Sequence, residues 1–205
     1  LFIMGKIISN KQIEVFIRRK LIVLPRFILG PLININKIIP GGEEHDFFYR
    51  KTLVEKRNFF MHRDTKNLLD ISKNHFEFTK KENYEAIKKC YQIGINLNKK
   101  IVIVHSRDNF YLNKYQPNKN FDYHNVRNFD INDFKLAIEE LIQCNYQVIR
   151  IGKGSGNKLE IDNSYYFDLS NHKMRTDLLE VFLMQKSSFI IGCNSGATMA
   201  ASYLF

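Results

Sequence analysis

The run Ile101-Val102-Ile103-Val104 constrains the fold more than any other stretch of this 205-residue chain. Four consecutive β-branched residues suit a helix poorly and present no polar face to water, so the run reads as a strand covered on both sides, as in a parallel sheet. The sequence after it keeps alternating. Phe134, Ile138, Leu141 and Ile142 recur at helical spacing and predict a helix that begins near Asp130 or Asn132 and ends near Asn145. Further apolar runs predict strands over Gln147 to Ile151, Tyr165 to Asp168 and Ser188 to Ile191. Before the last of these, Thr176 caps a helix carrying Leu178, Leu179, Phe182 and Leu183. After it, Gly196 opens a helix of small residues that includes Ala197, Thr198, Ala200 and Ala201.

Strand, helix, strand, strand, helix, strand, helix is the order of an α/β domain with a Rossmann-like, doubly wound parallel sheet. Upstream, a helix is expected from Lys80 to Ile93, opened by Thr79 and Glu82 in capping-box spacing and closed by Gly94, with Tyr84, Ile87 and Tyr91 on its buried face. Residues 1 to 78 show short apolar runs and turn signals, notably Pro40-Gly41-Gly42 followed by Glu43-Glu44-His45-Asp46. The expected organisation is therefore residues 1–95 as part of an N-terminal domain with a connecting helix, and residues 96–205 as the sheet domain. Because the chain starts at Leu1 and ends at Phe205 inside a helical pattern, it is expected to be a piece of something longer.

Charge narrows the partners. Thirty-one Lys and Arg stand against 21 Asp and Glu, a net +10 that favours an acidic partner such as nucleotide phosphate, nucleic acid or anionic lipid. The basic residues are spread through Lys51, Lys56, Arg57, Lys80, Lys81, Lys88, Lys89, Lys99 and Lys100, the distribution of a solvated surface. Cys90, Cys144 and Cys193 lie far apart and lack zinc spacing, so reduced thiols are expected. Leu21 to Ile39 is the most apolar stretch, and Pro25, Arg26, Gly30, Pro31 and Lys37 interrupt it as a spanning helix. Phe16 to Leu21 has two readings: a basic segment resting on a membrane surface, and a buried strand with a charged flank.

Ligands of open α/β sheets bind beyond the carboxyl ends of the strands. His105-Ser106-Arg107-Asp108 follows the first strand, where Arg107 can give parallel hydrogen bonds to a phosphate, His105 can donate beside it, and Asp108 can orient Arg107 or accept a proton. The plain alternative is an Arg107–Asp108 surface pair. Arg150 ends the second strand, and Gly152-Lys153-Gly154-Ser155-Gly156 follows it as a phosphate-approaching loop or an ordinary turn. Gly192-Cys193-Asn194-Ser195-Gly196 leads the fourth strand into a helix, where the Ser195 hydroxyl and the amides through Ala197 can meet a pyrophosphate, or simply make a tight turn. Arg127, Asn128, Arg175 and Asp177 flank helices and are further candidates, with solvated or helix-charge roles as the alternative. Asp122 and His124 alone do not make a metal site.

Two other chemistries leave no trace: neither a G-x-S-x-G elbow nor an H-E-x-x-H motif is present, and no D-x-D triplet suggests metal-held nucleotide. Instead, Val104 to Asp108, Tyr123 to Ile131, Tyr146 to Gly152, Arg175-Thr176-Asp177 and Phe189 to Gly196, taken in order, resemble a bacterial family of glycosyltransferases. The H-x-R turn and the late Ser turn are more distantly similar to those of GT-B fucosyltransferases. The resemblance implies a GT-B donor domain from about Phe78 to Phe205, in which Arg107 binds the donor β-phosphate with His105 beside it, and Ser195 and Gly196 close the pocket. Cys193 stands where the pattern expects Thr or another small residue.

The resemblance further implies an enzyme transferring sugar from a nucleotide-diphosphate donor to a glycan or lipid-linked acceptor in surface polysaccharide synthesis, and the missing D-x-D triplet makes a metal-independent mechanism the consistent expectation. From position at the strand ends, Arg107 is expected to neutralise the departing diphosphate, Asp108 is the nearest candidate for the base, and Arg150, Gly152, Asn194 and Ala197 join His105, Arg107, Ser195 and Gly196 as expected donor-binding residues. No cofactor is expected beyond the donor itself, which is a substrate. A cytoplasmic location is expected, with peripheral contact on the inner membrane and no nucleic-acid partner. The competing class is a non-catalytic nucleotide or nucleic-acid binding module.

Overall fold

The computed structural model describes residues 8–42 and 76–201. The chain divides into two compact units, residues 1–75 and 76–205. The Glu43-Glu44-His45-Asp46 turn and the basic residues Lys51, Lys56 and Arg57 lie outside the described residues.

In the first unit two helices are described, α1 (Lys11–Lys20) and α2 (Arg26–Asn36). The strand expected from Phe16 to Leu21 is instead the second half of α1. Three local interactions select the helix: the Asn10 side chain accepts from the amides of Gln12 and Ile13, Glu14 pairs with Arg18 one turn on at 2.7 Å, and Gln12 and Phe16 are buried on one stripe. Chain entry to α2 is at Pro25, and Pro31 lies within it. Among the described residues no helix is long and apolar enough to cross a membrane.

The second unit is an α/β layer structure. It opens with α3 (Lys80–Gln92), where Thr79 and Glu82 form the reciprocal capping box and Gly94 turns the chain at φ +84°. The inward stripe of α3 is Ala86 and Cys90 rather than the tyrosines: Tyr84 and Tyr91 are both exposed. The two small side chains let α3 lie close against a later helix, while each tyrosine hydroxyl stays in water. That packing places α3 with the sheet.

Four strands follow, β1 (Ile101–His105), β2 (Gln147–Arg150), β3 (Tyr166–Asp168) and β4 (Phe189–Gly192). All are parallel, in the order β3-β2-β1-β4. Between β1 and β2 run α4 (Phe110–Tyr115), two 3₁₀ turns (Asp122–Arg127 and Ile131–Phe134) and α5 (Lys135–Gln143). The crossover from β3 to β4 carries α6 (Asp177–Lys186), and α7 (Gly196–Ala201) follows β4.

Every residue of β1 is buried, as a strand covered on both faces requires. Val104 and Val148 pack against Ile131, Ile138 and Leu159, with Phe134, Leu141 and Ile142 completing the α5 side. Alternate residues Ile101, Ile103 and Ile149 are buried as well, and α6 contacts both β1 and α3. Helix α6 is buried from Leu179 through Met184 without a break, so it has no solvent face along its centre. Thr176 caps it by accepting from the Leu179 amide.

The chain runs from β1 outward through β2 to β3, then crosses to the other side of β1 to make β4. The reversal puts the switch point of the sheet at the carboxyl ends of β1 and β4, the position where open parallel sheets bind ligands.

Candidate functional site

The two strands that flank the switch point meet very closely. His105 is paired with Gly192 in register, and a Cβ at Gly192 would come within 2.8 Å of the His105 carbonyl oxygen. Only glycine fits there. Beyond this contact the Arg107 amide donates to Cys193 Sγ at 3.1 Å, tying the β1 turn to the β4 turn.

Arg107 points its guanidinium at the first 3₁₀ turn. Nη1 donates to the His124 carbonyl at 3.0 Å and to Asn128 Oδ1. In return, the Phe129 amide donates to the Arg107 carbonyl at 2.9 Å, which pins the segment over the strand end. His124 and Arg127 are three residues apart in a 3₁₀ helix, so they share a face. Arg127 Nη2 donates to His124 Nδ1. A permanently protonated guanidinium can only donate, so His124 accepts at Nδ1 as a neutral ring with its proton on Nε2. The His124 imidazole is held below its ordinary value by desolvation first, then by the charges of Arg127 and Arg107. Its ring lies 3.8 Å from that of Tyr123.

The Arg107 guanidinium is itself pushed below its usual range, by burial and then by Arg127. Among the described residues neither arginine makes an ion pair. The charge of Arg127 opposes that of Arg107 and the nearby Asp108 acts the other way, so an anion at the end of β1 would relieve the repulsion between the two arginines.

Arg150 lies in the opposite environment. It is 1% exposed and gives Nη1 to the Asn157 carbonyl (2.8 Å) and Asp168 (3.2 Å), and Nη2 to Ser155 Oγ (2.6 Å) and Ser106 Oγ (3.4 Å). It is a buried tie between three segments. Arg175 is likewise engaged: Nε donates to the Gly152 carbonyl at 2.7 Å, and the two Nη groups meet Asp177 and Glu180. Burial raises the Glu180 carboxyl, against the pull of Arg175.

Asp108 does not pair with Arg107. Its Oδ1 accepts from the Phe110 amide at 3.0 Å, and its Oδ2 accepts from Ser155 Oγ at 2.6 Å and the Gly156 amide at 3.0 Å. The glycine loop is consequently filled from within. The Gly154 amide donates to the Ser170 carbonyl and the Ser155 amide to Asn171 Oδ1, while the Phe110 ring covers Gly154, leaving room for no side chain. Three successive amides that a phosphate cradle would need are already engaged.

His105 is buried, and its Nδ1–H donates to the Ile151 carbonyl at 3.3 Å. Desolvation pushes this imidazole down, partly offset by that bond. It acts as a neutral brace at the end of β1. In the β4 turn, Ser195 Oγ accepts from the Thr198 amide at 3.3 Å, and Thr198 Oγ1 returns the bond by accepting from the Ser195 amide at 3.1 Å, while donating to the Cys193 carbonyl. Ser195 is therefore the cap of α7. Asn194 and Gly196 are exposed beside it.

The structure links Arg107 to Asn128, to His124 and thereby Arg127, and through its amide to Cys193 at the start of the β4 turn, and draws Arg150, Gly152, Arg175 and Asp177 into internal bonding. His124 enters as an unexpected member. Its signal lies in the i, i+3 spacing to Arg127, which means nothing until the segment is known to be a 3₁₀ turn. No group of three or more potential metal ligands occurs among the described residues. No family model, curated protein or solved structure significantly matches this chain.

Proposed function

We propose that the β1–β4 switch point binds the diphosphate of a nucleotide sugar, and that the protein is a GT-B-type glycosyltransferase acting on a glycan or lipid-linked acceptor. The observation that carries this reading is the pair Arg107 and Arg127, which stand at the switch point of a parallel sheet without a carboxylate partner among the described residues. Four other basic side chains of the same unit, Arg150, Arg175, Lys89 and Lys153, already have acidic neighbours.

In the transfer step the acceptor hydroxyl oxygen bonds to the anomeric carbon and its proton passes to water. The bond from that carbon to the β-phosphate oxygen breaks, and the nucleoside diphosphate leaves with the electron pair. Arg107 and Arg127 neutralise the charge that grows on the leaving group, and Nε2–H of His124 supplies a neutral donor next to them. Asp108 holds the glycine loop against the end of β1 and keeps Arg107 free of a salt bridge.

A thermal-shift panel of UDP, GDP, ADP and CMP sugars tests the reading. The matching donor at a hundredfold excess over its Kd adds about 2.7 kcal/mol of apparent stability, and the complete protein forms a glycosylated product with it. Equal behaviour of every nucleotide and inorganic phosphate would overturn the assignment.

A further inference from the structure

We propose, on the nucleotide reading of this site, that Asn128 and Asn125 are positioning residues for Arg107. They aim its guanidinium through a chain of neutral amides that ends on Asp122, and so leave its charge for an anionic ligand. The transfer step itself uses none of these three side chains.

Asp122, Asn125 and Asn128 stand three residues apart in sequence. With three residues per turn, side chains at that spacing in a 3₁₀ helix lie above one another, so the turn Asp122–Arg127 and its C-cap Asn128 set the three in one column. The bonds run one way along it. Arg107 Nη1 donates to Asn128 Oδ1, Asn128 Nδ2 donates to Asn125 Oδ1 at 3.2 Å, and Asn125 Nδ2 donates to Asp122 Oδ1 at 3.4 Å. Asn109 Nδ2 donates to the same Asn125 oxygen at 2.6 Å and ties the column to the segment that follows β1.

The two ends fix this direction. A guanidinium only donates and a carboxylate only accepts, so each amide between them has one orientation that satisfies both neighbours. Asn109 is held to it at a cost: its Nδ2 faces Asn125, and its Oδ1 is buried without a hydrogen-bond partner. Turning that amide over would set oxygen against oxygen. The electrostatic consequence concerns Arg107. A carboxylate at position 128 would pair with the guanidinium directly and neutralise it, whereas Asp122 orients it across two neutral groups. Asp108, the carboxylate next in sequence, is occupied by the Phe110 and Gly156 amides and by Ser155.

Calorimetric titration of GDP and UDP into the full chain, with guanosine and uridine as controls, tests the relay. Asn128→Asp keeps an acceptor for Arg107 and sets a charge on it; diphosphate affinity is expected to fall about tenfold, with nucleoside affinity unchanged. Asp122→Asn keeps the acceptor and removes the charge at the far end, and a change below about twofold is expected. Asn125→Ala, at an exposed position, is expected to weaken diphosphate binding about two- to tenfold. Should Asn128→Asp melt below wild type, Asn125→Ala decides. A purely structural role would make affinity follow melting temperature whichever position carries the charge, and that result overturns the proposal. So does wild-type diphosphate affinity in Asn128→Asp and Asn125→Ala where Arg107→Ala binds weakly. A wild type that binds neither diphosphate overturns the nucleotide reading and this proposal with it.

Discussion

Arg107 and Arg150 each sit at or just beyond the end of a buried strand, and their sequence surroundings do not tell them apart. Their partners do: Arg150 meets Asp168 and three oxygen acceptors in a site closed to water, whereas Arg107 meets a carbonyl, an amide oxygen and a second arginine. Arg150→Met should therefore act on stability, costing about 3 kcal/mol because Asp168 and the loop oxygens lose their donor; urea unfolding measures this, and a loss below about 1 kcal/mol would contradict the tie. His105 makes a pH prediction. Burial holds its folded imidazole below the unfolded value of about 6.5. The unfolded chain then binds the proton more readily, so this contribution is fully present above about pH 6.5 and is lost as pH falls from there through the depressed folded value. Melting temperature should drop across that window more steeply in the wild type than in His105→Asn; identical slopes would show that the ring is not buried neutral.

At the level of elements, the contact between the ends of β1 and β4 sets the spacing of the two strands at the switch point. Gly192→Val would drive a side chain into the His105 carbonyl, which is backbone and cannot swing aside. A loss of about 1–3 kcal/mol is expected, together with weaker nucleotide binding. Unaltered melting would mean the strands are less closely joined than described. The elements readable from sequence are those whose cause is local: β1 from its β-branched run, α3 from the Thr79–Glu82 box and Gly94, α6 from Thr176. Helix α1 is hidden behind a β-branched and basic composition, although Asn10 and the Glu14–Arg18 spacing select it. The short helix α4 and the 3₁₀ turn Asp122–Arg127 span too few residues to display a period. The site is legible only as far as strand ends can be placed. Which arginine is buried with an acid depends on pairings such as Arg150 with Asp168 across neighbouring strands, and those are set by the register of the sheet.

For the molecule as a whole, the net charge of +10 admits both a nucleotide pocket and a nucleic-acid surface, and salt separates them. Two arginines at one strand end predict an affinity for nucleoside diphosphate that falls by less than about tenfold between 50 and 200 mM salt, against the roughly 10³–10⁵ lost by an interface of six to ten phosphate contacts. Everything proposed for the switch point depends on the anion being held by Arg107 and Arg127. Calorimetric titration of the best-binding nucleoside diphosphate into wild type, Arg107→Ala and Arg127→Ala decides that point. Each substitution should weaken binding by about tenfold or more, the worth of a charge-assisted hydrogen bond, while affinity for the bare nucleoside and the melting temperature stay near wild type. Wild-type diphosphate affinity in both folded variants would contradict the proposed anion clamp.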